Sequence, residues 1–284
     1  MIIMVKYTKI KGDTLTGKYK EIYDSSINNK EEYWKKVSDD IFWYKKPTKI
    51  LNTSNPPFYK WYEDGITNTC YNAVDLHIDN GKGEKVAIIY DSPITGKKKK
   101  YTFNQLKEKV ALFAGALVNQ GVGKGDRIII YMPMIPEAVV AMLACGRIGA
   151  IHSVVFGGFA ANELASRIDD CKAKIIVSAS CGYEPGRVVE YKPLLNKALE
   201  LSNHKPDKCI IFQREKNKAS LNPSMDISWE DAHKNAKEQE CVKMNSNDYA
   251  YILYTSGTTG LPKGIVRDIG GHIVALKWTM KNIY

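Results

Sequence analysis

An α/β fold, with a parallel sheet flanked by helices, is predicted by three features of the 284-residue sequence. Short apolar runs alternate with longer stretches whose apolar residues recur every three or four positions. Turn residues punctuate the joins between them. One run, Arg127-Ile128-Ile129-Ile130-Tyr131, is continuously apolar after its arginine, as expected of a strand covered on both faces.

Residues 1–75 read as a loop-rich leader. Its aromatics include Tyr33, Trp34, Trp43, Trp61 and Tyr62, broken by Pro47 and Pro56-Pro57. Such side chains suit packing against a larger body, with a short helix near Glu31 to Asp39. Residues 76–284 carry the alternation. Val86 to Tyr90 is a strand. Thr102 and Gln105 have the spacing of a capping box, and Phe103, Leu106, Val110, Phe113 and Leu117 then share one helical face. Gly121 to Gly125 reads as a connecting turn before the Arg127 strand. Pro136 opens a helix through Arg147. Strands follow over Ile151 to Phe156, Lys174 to Ser178 and Cys209 to Phe212. The intervening helices are Ala160 to Cys171 and Pro193 to Leu201, and a short one begins at Ser228. Tyr249 to Tyr254 is strand, and Gly271 onward is helix. The chain ends inside that helix without a glycine or proline stop, which predicts the leading portion of a longer protein.

Composition narrows the function classes. The formal charge of +10 favours anionic partners. However, no helix-turn-helix or aromatic RNA-binding pattern is present, and Lys97 to Lys100 follows a turn, which suggests a hairpin tip rather than a nucleic-acid surface. The six cysteines form no CxxC pair and read as reduced intracellular thiols, so no metal site is expected. No apolar run is long enough for a transmembrane helix, and Met1 to Val5 is too short for a signal-peptide core. A cytoplasmic location is expected, with the mitochondrion the other option.

The chemistry concentrates in Tyr254-Thr255-Ser256-Gly257-Thr258-Thr259-Gly260-Leu261-Pro262-Lys263-Gly264, read as a turn between a strand and a helix. Gly257, Gly260 and Gly264 permit close backbone approach to a ligand. Thr255, Ser256, Thr258 and Thr259 add hydroxyl donors, and Lys263 adds a compact positive charge. Together they suit a polyphosphate. A Walker loop is excluded: Pro262 stands where it needs glycine, and Lys263 is followed by glycine rather than Ser or Thr.

This stretch resembles the phosphate-binding signature of the adenylate-forming enzymes. The leader around Tyr33-Trp34 and Phe42-Trp43, with Val154-Val155-Phe156-Gly157-Gly158-Phe159 and Arg167-Ile168, resembles their short-chain acyl-CoA synthetases. Val266-Arg267-Asp268 and Gly270-Gly271-His272 are closer to the propionyl type than to the acetyl type. The resemblance implies the incomplete, N-terminal portion of that family's fold. It also implies an acid–thiol ligase: a short-chain carboxylate attacks ATP to give acyl-adenylate and pyrophosphate, and coenzyme A then takes the acyl group. Mg²⁺ offsets phosphate charge.

By the family's motif, Thr255, Ser256, Gly257, Thr258, Thr259, Gly260 and Lys263 would hold the ATP phosphates, with Lys263 the catalytic charge contact. Phe156, Gly157 and Gly158 would line the nucleotide end of coenzyme A, and Arg187 would meet its 3′-phosphate. The competing structural roles are core packing for Phe156 and an exposed arginine at a helix start for Arg187. Glu184 departs from the acetyl type, which has a second arginine there. The family's adenine, metal and acyl-pocket motifs would lie past Tyr284, so the 284 residues alone are expected to be inactive. Partners are expected to be small molecules, with neither nucleic acid nor membrane. The rival readings are a non-catalytic nucleotide-binding or interaction remnant, and an unrelated kinase-like phosphate binder.

Overall fold

The computed structural model describes residues 17–255 and 262–284. The leader is more helical than the sequence suggests. Two helices, α1 (Gly17–Asn28) and α2 (Lys30–Ser38), precede three two-residue strands, β1 (Leu51–Asn52), β2 (Lys60–Trp61) and β3 (Ile66–Thr67). None of the side chains on α1 is buried, so it lacks the apolar stripe that makes a helix legible. The aromatics do pack on the body. Trp43 and Tyr62 are buried with Met244, Ile269 and Ile273, and the Trp278 indole donates to the Tyr33 hydroxyl at 2.8 Å.

The body opens with an antiparallel hairpin, β4 (Val86–Ser92) and β5 (Lys97–Thr102). Its tip is Pro93 to Gly96. Lys97 to Lys100 therefore lie along β5 rather than at the tip, with Lys98 paired to Asp91 across the hairpin at 2.8 Å. Helix α3 (Phe103–Asn119) starts at the predicted capping box. The Thr102 hydroxyl accepts from the Gln105 N–H at 3.3 Å, and the Gln105 side chain accepts from the Thr102 N–H at 3.0 Å. The chain continues through β6 (Arg127–Met132), α4 (Pro136–Ile148), β7 (Ile151–Phe156), α5 (Ala161–Cys171) and β8 (Ile175–Ala179). A hairpin of β9 (Cys181–Glu184) and β10 (Arg187–Glu190) leads to α6 (Tyr191–Leu201). Then come β11 (Lys208–Phe212), β12 (Asp226–Ser228), α7 (Trp229–His233), β13 (Met244–Asn245), β14 (Tyr249–Thr255), β15 (Lys263–Asp268) and α8 (Gly270–Asn282).

Seven strands form the central sheet in the order β12-β11-β8-β6-β7-β14-β15, all parallel except β15. The continuous apolar run of β6 is explained by cover on both faces. Ile128 and Ile130 pack among the side chains of α3 and α4, whereas Ile129 and Tyr131 pack against Leu164, Ile168 and Leu195 of α5 and α6.

The end of the sheet corrects one expectation. The Gly/Thr-rich segment is followed by a strand, not a helix: β15 pairs antiparallel with β14, and α8 begins only at Gly270. Residues of β15 up to Arg267 are exposed, so the strand has no alternating burial to announce it. What holds it is the backbone ladder to β14.

Candidate active site

Parallel strands share a carboxyl edge. Phe156, Ala179 and Thr255 end β7, β8 and β14 along that edge. From β6 the chain places β7 on one side and β8 on the other, a reversal of the kind that opens a ligand crevice outside the carboxyl ends of the strands. Phe156, Gly157 and Gly158 form the turn leaving β7. Phe156 is 68% exposed, which removes core packing as its role.

Two tyrosines that the sequence did not single out support this turn. The Gly158 N–H donates to the Tyr131 hydroxyl at 3.3 Å, and that hydroxyl donates to the Phe159 carbonyl at 3.0 Å. A Cβ on Gly157 would lie 2.4 Å from the Tyr191 hydroxyl and 2.8 Å from its ring, so glycine is required for the close approach. Burial pushes the Tyr191 phenol up to about 12, helped by neighbouring Tyr131, so it remains a neutral support. Tyr131 sits inside an apolar run, where periodicity marks it only as core.

Arg167 joins this turn to the end of β14. Its guanidinium lies 5.3 Å from the Phe159 ring centroid and 5.3 Å from that of Tyr254. Its Nη1 donates to the Glu163 carboxylate at 2.8 Å. The Tyr254 hydroxyl donates to Asp170 at 2.6 Å; burial, then that carboxylate, raise its pKa.

Thr255 and Lys263 face each other as a register pair on β14 and β15, both exposed. The antiparallel pairing brings the two ends of the loop together at the carboxyl edge. Ser256, Gly257, Thr258, Thr259 and Gly260 lie outside the described residues.

Arg187 lies on a strand, so the competing role of an exposed arginine at a helix start does not hold. It begins β10 and faces Glu184 across the hairpin, with Nε and Nη2 held by Glu184 Oε2 at 2.7 and 2.6 Å. Both side chains are exposed, and they line a groove of about 490 Å³ with Tyr183 and Lys216. Behind it, the Arg214 guanidinium stacks 3.6 Å from the Tyr183 ring centroid. The hairpin was not legible because Pro185-Gly186 reads only as a turn, and its strands are four residues each.

Similarity searches agree with this architecture. The profile of the AMP-binding enzyme family matches residues 77–283, and that of the acetyl-coenzyme A synthetase N-terminus matches residues 19–73. The chain is 51% identical over 269 residues to the human mitochondrial acyl-CoA synthetase short-chain family member 3, covering 94% of this chain and 39% of that protein. It is 42% identical over 268 residues to the propionate–CoA ligase of Escherichia coli K12, covering 94% of this chain and 42% of the relative. The fold is that of acetoacetyl-CoA synthetase from Streptomyces lividans, with a TM-score of 0.83 at 23% identity over 93% of this chain and 40% of the other. The chain therefore spans roughly 40% of the length of the relatives it matches. With its profile matched across residues 77–283 and its sheet arranged as described, the chain belongs to the AMP-binding enzyme family.

Proposed function

We propose that these residues form the leading part of an acid–thiol ligase that activates a short-chain carboxylate, propionate before acetate, with ATP and passes it to coenzyme A. The products are acyl-CoA, AMP and pyrophosphate, and the activity belongs to the polypeptide that carries this segment in full. The observation that carries the reading is the Thr255–Lys263 pair at the mouth of the Gly/Thr-rich loop, beside the turn that leaves β7. The names of the human and Escherichia coli relatives support the substrate class. Residues 1–75 form the N-terminal segment and residues 76–284 the first part of the adenylation domain, a division that the two profile matches favour.

In this reading Thr255, Ser256, Gly257, Thr258, Thr259, Gly260 and Lys263 hold the β- and γ-phosphates. Lys263 neutralises charge as pyrophosphate leaves. Phe156, Gly157 and Gly158 receive the nucleotide end of coenzyme A, and Arg187 reaches its 3′-phosphate. Mg²⁺ enters as part of the magnesium–ATP substrate. The described residues beside Lys263 are a poor set of Mg²⁺ ligands, since Asp170, against Gly264, is engaged by Tyr254. No step is derived through the metal.

Among the described residues no helix is long and apolar enough to cross a membrane. The cytoplasm is the proposed location; the mitochondrion, named for the human relative, is its rival.

The test is pyrophosphate release from ATP and propionate by the whole polypeptide. Lys263→Ala is expected to lower the rate by about 10²–10³-fold, as loss of one transition-state donor does. A normal rate in that variant would overturn the assignment.

A further inference from the structure

Remote from the carboxyl edge, two cysteines meet under the C-terminal end of α4. The sulfurs of Cys70 and Cys241 and a carboxylate oxygen of Asp75 all lie within 4.8 Å of one another. Three such ligands invite a metal reading, but the charges oppose it. Arg147 grips both Asp75 oxygens at 2.8 and 3.0 Å, and Lys107 stands 3.3 Å from one of them. Both Asp75 oxygens are thus engaged by cations and are poorly placed to ligate a third, and the Cys241 thiol donates to one of them at 3.6 Å. Arg147 Nη1 is itself 3.6 Å from Cys70 Sγ.

The backbone holds the two thiols in place. The Asn68 side-chain amide donates to the Gly146 and Val242 carbonyls at 2.9 Å each, and the Val242 N–H donates to the Arg147 carbonyl at 2.9 Å. The segments carrying Cys70 and Cys241 are thus tied to one helix end and to each other. Cys70 is fully buried, and Cys241 is partly exposed. Access is therefore one-sided.

We propose that Cys70 and Cys241 constitute an oxidisable dithiol site that a hydroperoxide converts to an intramolecular disulfide. The accessible Cys241 thiol gives its sulfur to the peroxide oxygen, forming a sulfenic acid and releasing water or alcohol. The Cys70 thiolate then attacks that sulfur and expels hydroxide, which leaves as water with the proton from Cys70. The net change is two thiols oxidised by two electrons and one peroxide bond reduced. Drawing the sulfurs together to the bond length of about 2.05 Å links the leader to the segment that enters β13 and β14. Contact with Cys70, then burial, raise the Cys241 thiol, so sustained oxidant exposure is needed.

The experiment treats the native chain with hydrogen peroxide, then unfolds it, alkylates it and maps its peptides without reductant. Met134, 90% exposed, serves as an internal gauge of oxidant dose. The expected result is a Cys70–Cys241 linked peptide, parallel loss of both free thiols, and recovery of both with dithiothreitol. In Cys241→Ser, Cys70 is expected to stay alkylatable at the same dose. The proposal fails if both cysteines stay alkylatable once Met134 is fully converted to sulfoxide. It also fails if Cys241 proceeds to sulfinic acid while Cys70 remains free.

Discussion

Arg167 stands 5.3 Å from the Tyr254 ring centroid, and so places one cation between the turn that leaves β7 and the end of β14. Removing it deprives Phe159 and Tyr254 of a common neighbour. Arg167→Ala is expected to cost about 1–3 kcal/mol, as a buried charged hydrogen-bonding group with two cation–π contacts does. Arg167→Lys should recover only part of this, because ammonium lacks the planar face. Urea unfolding reads both: the midpoint falls and the slope is unchanged.

Gly157 is the tightest point of the proposed coenzyme A turn. Gly157→Ala puts a methyl 2.4 Å from the Tyr191 hydroxyl, which is buried and has little room to yield. Overpacking of this kind costs about 1–3 kcal/mol. Combining it with Tyr191→Leu should return part of the loss, and a double-mutant cycle on Tm measures the coupling.

Asp75 makes stability pH-dependent. Burial alone pushes its carboxyl up, but hydrogen bonds and charge from Arg147, with Lys107, outweigh this and hold it below the ordinary value of 3.8. A depressed folded pKa gives stability that is present above the unfolded value and lost as pH falls through the folded one. Asp75→Asn leaves Arg147 buried without its partner, at a cost of about 3–5 kcal/mol near neutral pH. The gap from the parent chain should narrow below about pH 4. Denaturant unfolding at pH 7 and pH 3 checks both parts.

Glu184 occupies the guanidinium that the proposed 3′-phosphate contact needs. Glu184→Gln removes that competing charge. In the whole polypeptide it is expected to tighten coenzyme A about 2- to 5-fold, the size of a weak exposed ion pair, and to leave 3′-dephospho-coenzyme A unchanged. Calorimetry with the two ligands decides. Equal effects on both would separate Arg187 from the 3′-phosphate.

The alternation of strands and helices, most helix starts and the loop motif were readable because their signals are local. Thr102 with Gln105, Pro136 at the start of α4, and Ser228 as the cap of α7 each act within one turn of helix. The unreadable parts depend on distant partners. Strand β15 exists through its ladder to β14, and α1 has no buried face to imprint a period. Tyr131 and Tyr191 look like ordinary core residues until the fold sets them under Gly157 and Gly158.

Residue order alone thus determined the α/β alternation, the end caps and the Gly/Thr/Lys segment, since periodicity and turn chemistry are written between near neighbours. Tertiary structure decided that Lys263 returns opposite Thr255 on a strand, that Glu184 holds Arg187, and that Cys70 meets Cys241. These pairings join positions whose proximity comes from sheet hydrogen bonds and packing, which no short window of sequence contains.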